Sequence, residues 1–143
     1  MKSTSTLLIS SALLMVACSN DIKVPQGIIE KFEANYPEVE NVEWEKEDGF
    51  YEAEWKEEGL EKEVKFAFDG SIIETTEEMA VEAIPRNIMD YLETQHPGKE
   101  IKEAEKLFNS EGIQIEIELE DEKGKETNIL FTEAGKFIQQ DLD

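Results

Sequence analysis

Apolar residues recur at about every fourth position in residues 24–37, and the same pattern returns in residues 84–97. In the first stretch Ile28 and Phe32 fall on one side of a helix, and polar residues cover the other side. A proline lies near the start of each stretch, where a helix tolerates it, and another follows the last apolar position, where it stops a helix. The pattern predicts two amphipathic helices of about three turns each.

After each helix the apolar period changes from about four to two, which is typical of half-buried strands. Residues 42–73 alternate apolar and charged side chains, and Asp-Gly or Glu-Gly pairs separate the runs. Such pairs favour tight turns at hairpin spacing. Residues 113–138 repeat the scheme with shifted turns. Each helix is therefore predicted to precede four antiparallel strands, and residues 75–83 between the copies are predicted to be a short helical linker.

The alternation separates the aromatic residues from the glutamates. The predicted inner face of the first copy contains Val42, Trp44, Tyr51, Ala53, Trp55, Val64, Phe66 and Phe68. These side chains are expected beneath the helices. If the faces were reversed, Trp44, Tyr51 and Trp55 would instead form an exposed platform suited to stacking on sugars.

The predicted fold class is α+β, with two tandem α-β-β-β-β repeats that form one antiparallel meander sheet with both helices on the same face. One helix on four strands covers little apolar surface, and a second copy extends the layer. The expected boundaries are a leader at 1–18, repeats at 19–74 and 84–143, and the linker between them.

The first residues are typical of an export signal. Lys2 precedes the apolar run LLISSALLMVA, which is too short to cross a bilayer and is followed at once by Cys18. Ala17 and Cys18 match the end of a bacterial lipobox, although Met15 stands where leucine is usual. We expect Cys18 to carry the lipid that anchors the protein in the periplasm or outer membrane, with ordinary signal cleavage as the alternative.

Charge narrows the possible partners. The chain has 14 Lys and Arg against 35 Asp and Glu, a formal net charge of −21. Such a surface repels nucleic acids and anionic headgroups and attracts cationic proteins. We therefore expect an envelope protein or peptide with a basic surface as the partner, no nucleic acid, and membrane contact only through the N-terminal lipid.

The residues that usually carry catalysis are scarce. His96 is the only histidine and Cys18 the only cysteine. They cannot assemble a zinc site of the usual His and Cys type, and neither a nucleophile-base pair nor a phosphate-binding glycine loop occurs in the sequence. The sequence predicts a non-enzymatic protein without a cofactor, with no catalytic residue and no assigned metal ligand.

The predicted outer face carries glutamates that would lie opposite one another on neighbouring strands. These candidate partner or cation-binding residues are Glu43, Glu45, Glu52, Glu54, Glu61, Glu63, Glu116, Glu118 and Glu120. Three interpretations remain open. The face is a solvated surface that confers solubility, a docking surface for a basic protein or peptide, or a site for a divalent cation such as Ca²⁺ in an acidic structural protein of the envelope.

The whole mature chain resembles the PepSY-like family of bacterial secreted proteins, which is related in fold to beta-lactamase inhibitor proteins. The resemblance lies in the proline-started helices that end in Tyr-Pro or His-Pro, the acidic hairpins, and the FDG and FTEAG turns before the last strands. It implies the fold, an envelope location and a role in binding or inhibiting other proteins. The family's motifs are structural, so the resemblance transfers no catalytic residue.

Overall fold

The computed structural model describes residues 22–142. The predicted leader at 1–18, including Cys18, lies outside the described residues. The first repeat contains α1 (Gln26–Asn35), β1 (Glu43–Glu47), β2 (Phe50–Glu57), β3 (Leu60–Ala67) and β4 (Ile72–Glu78). The second contains α2 (Arg86–Gln95), β5 (Glu100–Asn109), β6 (Gly112–Glu120), β7 (Glu126–Thr132) and β8 (Phe137–Leu142).

The two helices begin and end in the same way, as the repeated pattern predicts. Pro25 and Pro85 occupy the position before the first helical residue, and their carbonyl oxygens accept the first helical hydrogen bonds. Tyr36 and His96 end the helices, each donating its backbone N–H to a carbonyl of the last turn at 2.8 Å. His96 is therefore a helix-terminal residue that replaces the tyrosine of the first copy.

The strands form one eight-stranded antiparallel sheet in the order of the chain, β1 to β8, within the described residues. The two repeats join where β4 pairs with β5, with Glu74 opposite Asn109. Both helices pack on the same side of this sheet through separate clusters of buried side chains. The predicted fold class is confirmed.

The segment expected as a helical linker differs from the prediction. Thr75 and Thr76 continue β4, which ends at Glu78, and the only helical part is a 3-10 turn at Val81–Ala83. Pairing with β3 on one side and β5 on the other satisfies the backbone groups of β4. That pairing outweighs the helix propensity of the glutamates and alanines in the segment.

The two helices cover different cores. Between α1 and the sheet lies a largely aromatic cluster, with Trp44 partly buried against it. It consists of Ile28 and Phe32 from the helix and Tyr51, Ala53, Trp55, Val64 and Phe66 from the strands. Between α2 and the sheet lies a mainly aliphatic cluster. It consists of Ile88 and Leu92 from the helix, Ile84 from the segment before it, and Ala104, Ile115, Ile117, Leu119, Ile129 and Phe131 from the strands. The aromatic residues of the first copy therefore face the helix, which excludes the sugar-stacking alternative for Tyr51 and Trp55.

One predicted core residue is exposed. Phe68 has the parity of the inner face, yet its side chain is 54% exposed. Because β3 ends at Ala67, Phe68 begins the following turn, where strand alternation no longer applies. Its ring lies against Tyr51, with the ring centroids 5.3 Å apart.

Candidate binding face

We call the side of the sheet that no helix covers the open face. Cross-strand pairing brings acidic residues into rows on this face, and neighbouring side chains in a row are typically about 5 Å apart at Cβ. The facing residues are, row by row, Glu43, Glu54, Glu63 and Thr76; Glu45, Glu52, Lys65 and Glu74; Glu78, Glu105 and Glu116; and Glu103 and Glu118. Like charges opposite each other repel, so folding concentrates negative charge here at a cost in stability.

The predicted glutamates all lie on strands of the sheet, but their side chains differ in how much they are exposed to solvent. Glu43 and Glu45 lie on the edge strand β1 and are exposed, whereas Glu63 on the third strand is only 7% exposed. The remaining members, half-buried between these extremes, are Glu52, Glu54, Glu61, Glu116, Glu118 and Glu120. The face is therefore a surface whose centre is partly withdrawn from water, since neighbouring side chains shield one another.

Four carboxylates on the two central strands of the open face were missing from the sequence-based set, namely Glu74, Glu78, Glu103 and Glu105. They lie on β4 and β5, which are the two central strands of the sheet. The repeated scheme predicts a strand before β6, in which Glu103 and Glu105 alternate with Ala104, but these glutamates were not among the predicted site residues. Because residues 75–83 were assigned to a linker, Glu78 was not predicted to lie on the open face.

Lys65 lies among the carboxylates of the first repeat. Its Nζ is 2.9 Å from Glu63 Oε1, 3.5 Å from Glu74 Oε1 and 4.0 Å from Glu52 Oε2. Burial disfavours the charge on Lys65, but these carboxylates outweigh the burial and raise its pKa. The lysine side chain is only 13% exposed, so it is a built-in countercharge rather than a surface cation.

Two glutamates of the first repeat nonetheless hold protons unusually tightly. Burial, followed by repulsion from Glu63, raises the pKa of Glu52 to about 8 in spite of Lys65. Burial and then Glu61 raise the pKa of Glu54 to about 7. In both pairs the two carboxyl groups are within hydrogen-bonding reach, and such a bond requires one proton between them.

The second repeat has no lysine in the corresponding place. Leu130 takes the position of Lys65, since each lies one residue before the equivalent phenylalanines Phe131 and Phe66. Asn128 takes the position of Glu63, three residues before the same phenylalanines. Leu130 and Asn128 are both buried on the open face. The cation of the first repeat is thus replaced by an apolar side chain beside Glu116.

Three glutamates of the second repeat have raised pKa values, mainly because they are buried. Burial and then Glu118 raise the pKa of Glu103 to about 7. Burial and then Glu103 raise the pKa of Glu105 to about 8, and burial and then Glu74 raise the pKa of Glu116 to about 7. Within residues 22–142 none of these three forms an ion pair within 4.0 Å.

Neither a metal-binding group of side chains nor a membrane-spanning helix is found within the described residues. Across residues 22–142, no three His, Cys, Asp or Glu side chains come together in a group that could hold a metal ion. In the same range no helix has the length and apolarity needed to cross a membrane. Burial and Lys99 lower the pKa of His96, which sits near the ring of Tyr91 at the end of α2 and away from the open face.

The comparisons with known proteins agree with this architecture. The chain is similar to "DUF2874 family protein" from Bacteroides uniformis ATCC 8492, with a TM-score of 0.77 and 15% identity, covering 84% of this chain and 90% of the other. It is similar to a "BLIP-like protein" from Bacteroides fragilis NCTC 9343, with a TM-score of 0.71 and 21% identity, covering 85% and 87%. At these identities the likeness establishes the fold alone.

A third solved structure has the same fold. It is described as a candidate periplasmic protein from Bacteroides eggerthii DSM 20697, with a TM-score of 0.77 and 15% identity, covering 84% of this chain and 89% of the other. No curated protein matches the chain. The family pattern described as beta-lactamase-inhibitor-like, PepSY-like matches residues 18–74 and again residues 58–139. The chain therefore belongs to the PepSY-like, beta-lactamase-inhibitor-like family.

Proposed function

We propose that this protein is a non-enzymatic binding module of the cell envelope, and that its open face binds a protein or peptide that presents clustered lysine or arginine side chains. The observation that carries the proposal is the set of half-buried carboxylates on an uncovered sheet face. Beta-lactamase-inhibitor-like folds are of a non-catalytic binding type, which supports a binding role without identifying the partner.

The chemistry of the face favours a basic macromolecule over a divalent cation. The rows of glutamates extend across most of the sheet, so several cationic groups can be met at once. Calcium sites need several oxygens converging on one point, usually with help from backbone carbonyls. The described residues contain no such group, and the strand backbone of the open face is already engaged in sheet pairing.

The proposed location is the periplasm or the outer membrane, with Cys18 as the lipid-bearing N-terminal residue. This rests on the leader sequence and on a structural relative described as a candidate periplasmic protein. Expressing the full chain and a Cys18→Ser variant, followed by membrane fractionation and fatty-acid labelling, tests it. Label and membrane association should both be lost in the variant. Unchanged labelling of the variant would contradict lipidation at this residue.

The binding proposal can be tested with a synthetic octalysine peptide and the exported chain. The open-face variant Glu103→Gln/Glu105→Gln/Glu116→Gln removes three carboxylates while keeping their shape. The matched control Glu30→Gln/Glu33→Gln/Glu93→Gln removes three exposed carboxylates from the helices, so both variants change the net charge equally. Calorimetry at pH 8.5 and low salt measures the affinities.

The wild-type protein and the helix control should bind octalysine with similar affinity. The open-face variant should bind about tenfold more weakly, if each lost ion pair contributes about 0.5 kcal/mol. An equal loss in both variants would mean that only net charge matters. That result would contradict the open face as the binding surface.

A further inference from the structure

The carboxylates of the second repeat form a compact group at the centre of the open face. Glu105 lies directly opposite Glu116 on one side and opposite Glu78 on the other. Glu103 lies two residues along the same strand and opposite Glu118. We call Glu103, Glu105 and Glu116 the central trio. Its members are half-buried, and none has an ion pair of its own within the described residues.

Charged groups from four neighbouring strands face the central trio. They are Glu61, Glu63 and Lys65 on β3, Glu74 and Glu78 on β4, Glu118 on β6 and Asp141 on β8. Strand β7 contributes Asn128 and Leu130, which do not titrate. Only Lys65 among these groups is positive, and it is already held by Glu63, Glu74 and Glu52. The central trio is therefore surrounded mainly by negative charge, and no lysine or arginine within the described residues forms an ion pair with it.

We propose that the central trio makes binding at the open face pH-dependent, so that the ionised trio holds a cationic partner and the protonated trio releases it. This inference rests on the proposed function and adds its regulation. The first repeat supplies the comparison within the same molecule. In the first repeat the buried Lys65 provides a positive charge within the carboxylate cluster. In the second repeat Leu130 fills the equivalent place, so a positive charge that pairs with the central trio has to be supplied by a binding partner.

The raised pKa values of the central trio place its change from ionised to neutral near neutral pH. Burial is the main reason that the pKa values of Glu103 and Glu116 reach about 7 and that of Glu105 about 8. Because the three carboxyls repel one another, they take up protons in successive steps over a broadened pH range, and each step belongs to the trio rather than to a single residue. The trio is therefore mostly ionised above about pH 8 and mostly neutral below about pH 6.

The same proton uptake has a consequence for stability that needs no partner. In the unfolded chain these carboxyls have ordinary pKa values near 4.5, so between about pH 4.5 and 8 the folded state binds more protons than the unfolded state. Stability must then rise as the pH falls through this window. This is the reverse of ordinary acid denaturation, in which carboxylates are ionised more readily in the folded state.

The first experiment measures octalysine binding at pH 8.5 and at pH 6 for the wild type, the open-face variant and the helix control. Lysine side chains stay charged at both values. On going to pH 6, the wild type and the helix control should lose about tenfold more affinity than the open-face variant, in which Glu52 and Glu54 are the remaining open-face glutamates with raised pKa values. Wild-type affinity that is equal at both pH values would overturn the inference, even if binding at pH 8.5 is strong.

The second experiment measures thermal unfolding of the same three proteins without peptide, from pH 8.5 to pH 5.5. The wild-type Tm should rise on acidification by about 5 °C or more. The open-face variant should unfold at a higher temperature than the wild type at pH 8.5, and this difference should shrink at pH 5.5, because glutamine imitates the protonated carboxyl. The helix control should follow the wild type.

The two experiments distinguish the inference from the proposed function. If octalysine does not bind at any pH but the wild-type Tm rises on acidification, the proposed function is wrong and so is the release of a cationic partner. If octalysine binds the open face at pH 8.5 and neither affinity nor Tm depends on pH, the function stands and its regulation by the trio is wrong.

Discussion

The two repeats have the same backbone plan and differ in what fills it. Beneath α1 the sheet presents Tyr51, Trp55 and Phe66, whereas beneath α2 isoleucine and leucine dominate the corresponding cluster. On the opposite side of the sheet the difference is one of charge. Lys65 lies within the acidic cluster of the first repeat, and Leu130 takes its place in the second.

This comparison separates what the fold requires from what the site requires. The shared helix ends and the shared turn glycines Gly70 and Gly135 are needed by both repeats to place a helix on four strands. The side chains of the open face are not constrained in that way. The first repeat neutralises part of its own charge through Lys65, whereas Glu103, Glu105 and Glu116 of the second repeat have no ion pair within residues 22–142.

The largest expected effect tests whether the repeats share one fold. Phe66 and Phe131 are equivalent and both have 0% exposure. Replacing either with alanine should cost about 3–5 kcal/mol of unfolding free energy, since each leaves a cavity in a packed cluster. Urea unfolding of the two variants should show similar losses and one cooperative transition, because β4 and β5 join the repeats. Two separate transitions in either variant would contradict a shared fold.

The next effect concerns the built-in lysine. Lys65→Met should cost about 2–3 kcal/mol at pH 8.5, because the carboxylates around it lose their buried countercharge. The loss should be smaller at pH 6, where protons can replace the cation. The matched control is Lys102→Met, since Lys102 pairs with Glu120 at 3.3 Å while its side chain is 43% exposed. That control should change stability by about 0.5 kcal/mol or less. Equal losses at Lys65 and Lys102 would mean that Lys65 is not a special countercharge.

The smallest effect compares the two turn glycines. Gly70 and Gly135 have positive φ values of +82° and +79°, so alanine is strained at both by about 1 kcal/mol. At Gly135 an added Cβ would also lie 2.1 Å from Asn87 Nδ2. That atom donates a hydrogen bond to the carbonyl oxygen of Ala134 at 2.8 Å, and it would have to move away.

Chemical unfolding should therefore show Gly135→Ala to be the more costly change by about 1 kcal/mol, the typical contribution of one hydrogen bond. The two substitutions share the same backbone strain, so each is the control for the other. A larger loss at Gly70 would contradict this explanation, because its added Cβ meets only Ile28 Cγ1, at 3.9 Å.

Most of the fold followed from periodicity. The change of period from about four to two marked the ends of both helices, and parity assigned Tyr51 and Trp55 to the core correctly. The prediction failed where local propensity and tertiary pairing disagree, as in β4, whose later residues favour a helix locally but pair with strands on both sides. The prediction that Phe68 is buried was wrong because the alternation of apolar and polar residues does not show where a strand ends.

The candidate site was only partly predictable. Alternation placed the glutamates of β2, β3 and β6 on one face, but it could not show that Glu63 is nearly inaccessible while Glu43 is exposed. That difference depends on distance from the sheet edge, hence on strand order. The proton affinity of Glu105 depends on the same order, because its raised pKa comes from burial and from charges on other strands.

The most direct test of this account is a carbon NMR titration of the glutamate side-chain carboxyls from pH 4 to pH 9, with assignments from single Glu→Gln variants. We expect Glu103, Glu105 and Glu116 to titrate with midpoints near 7 to 8, together with Glu52 and Glu54 in the first repeat. Signals of the central trio that all titrate below about pH 5.5, as in unstructured peptides, would contradict it.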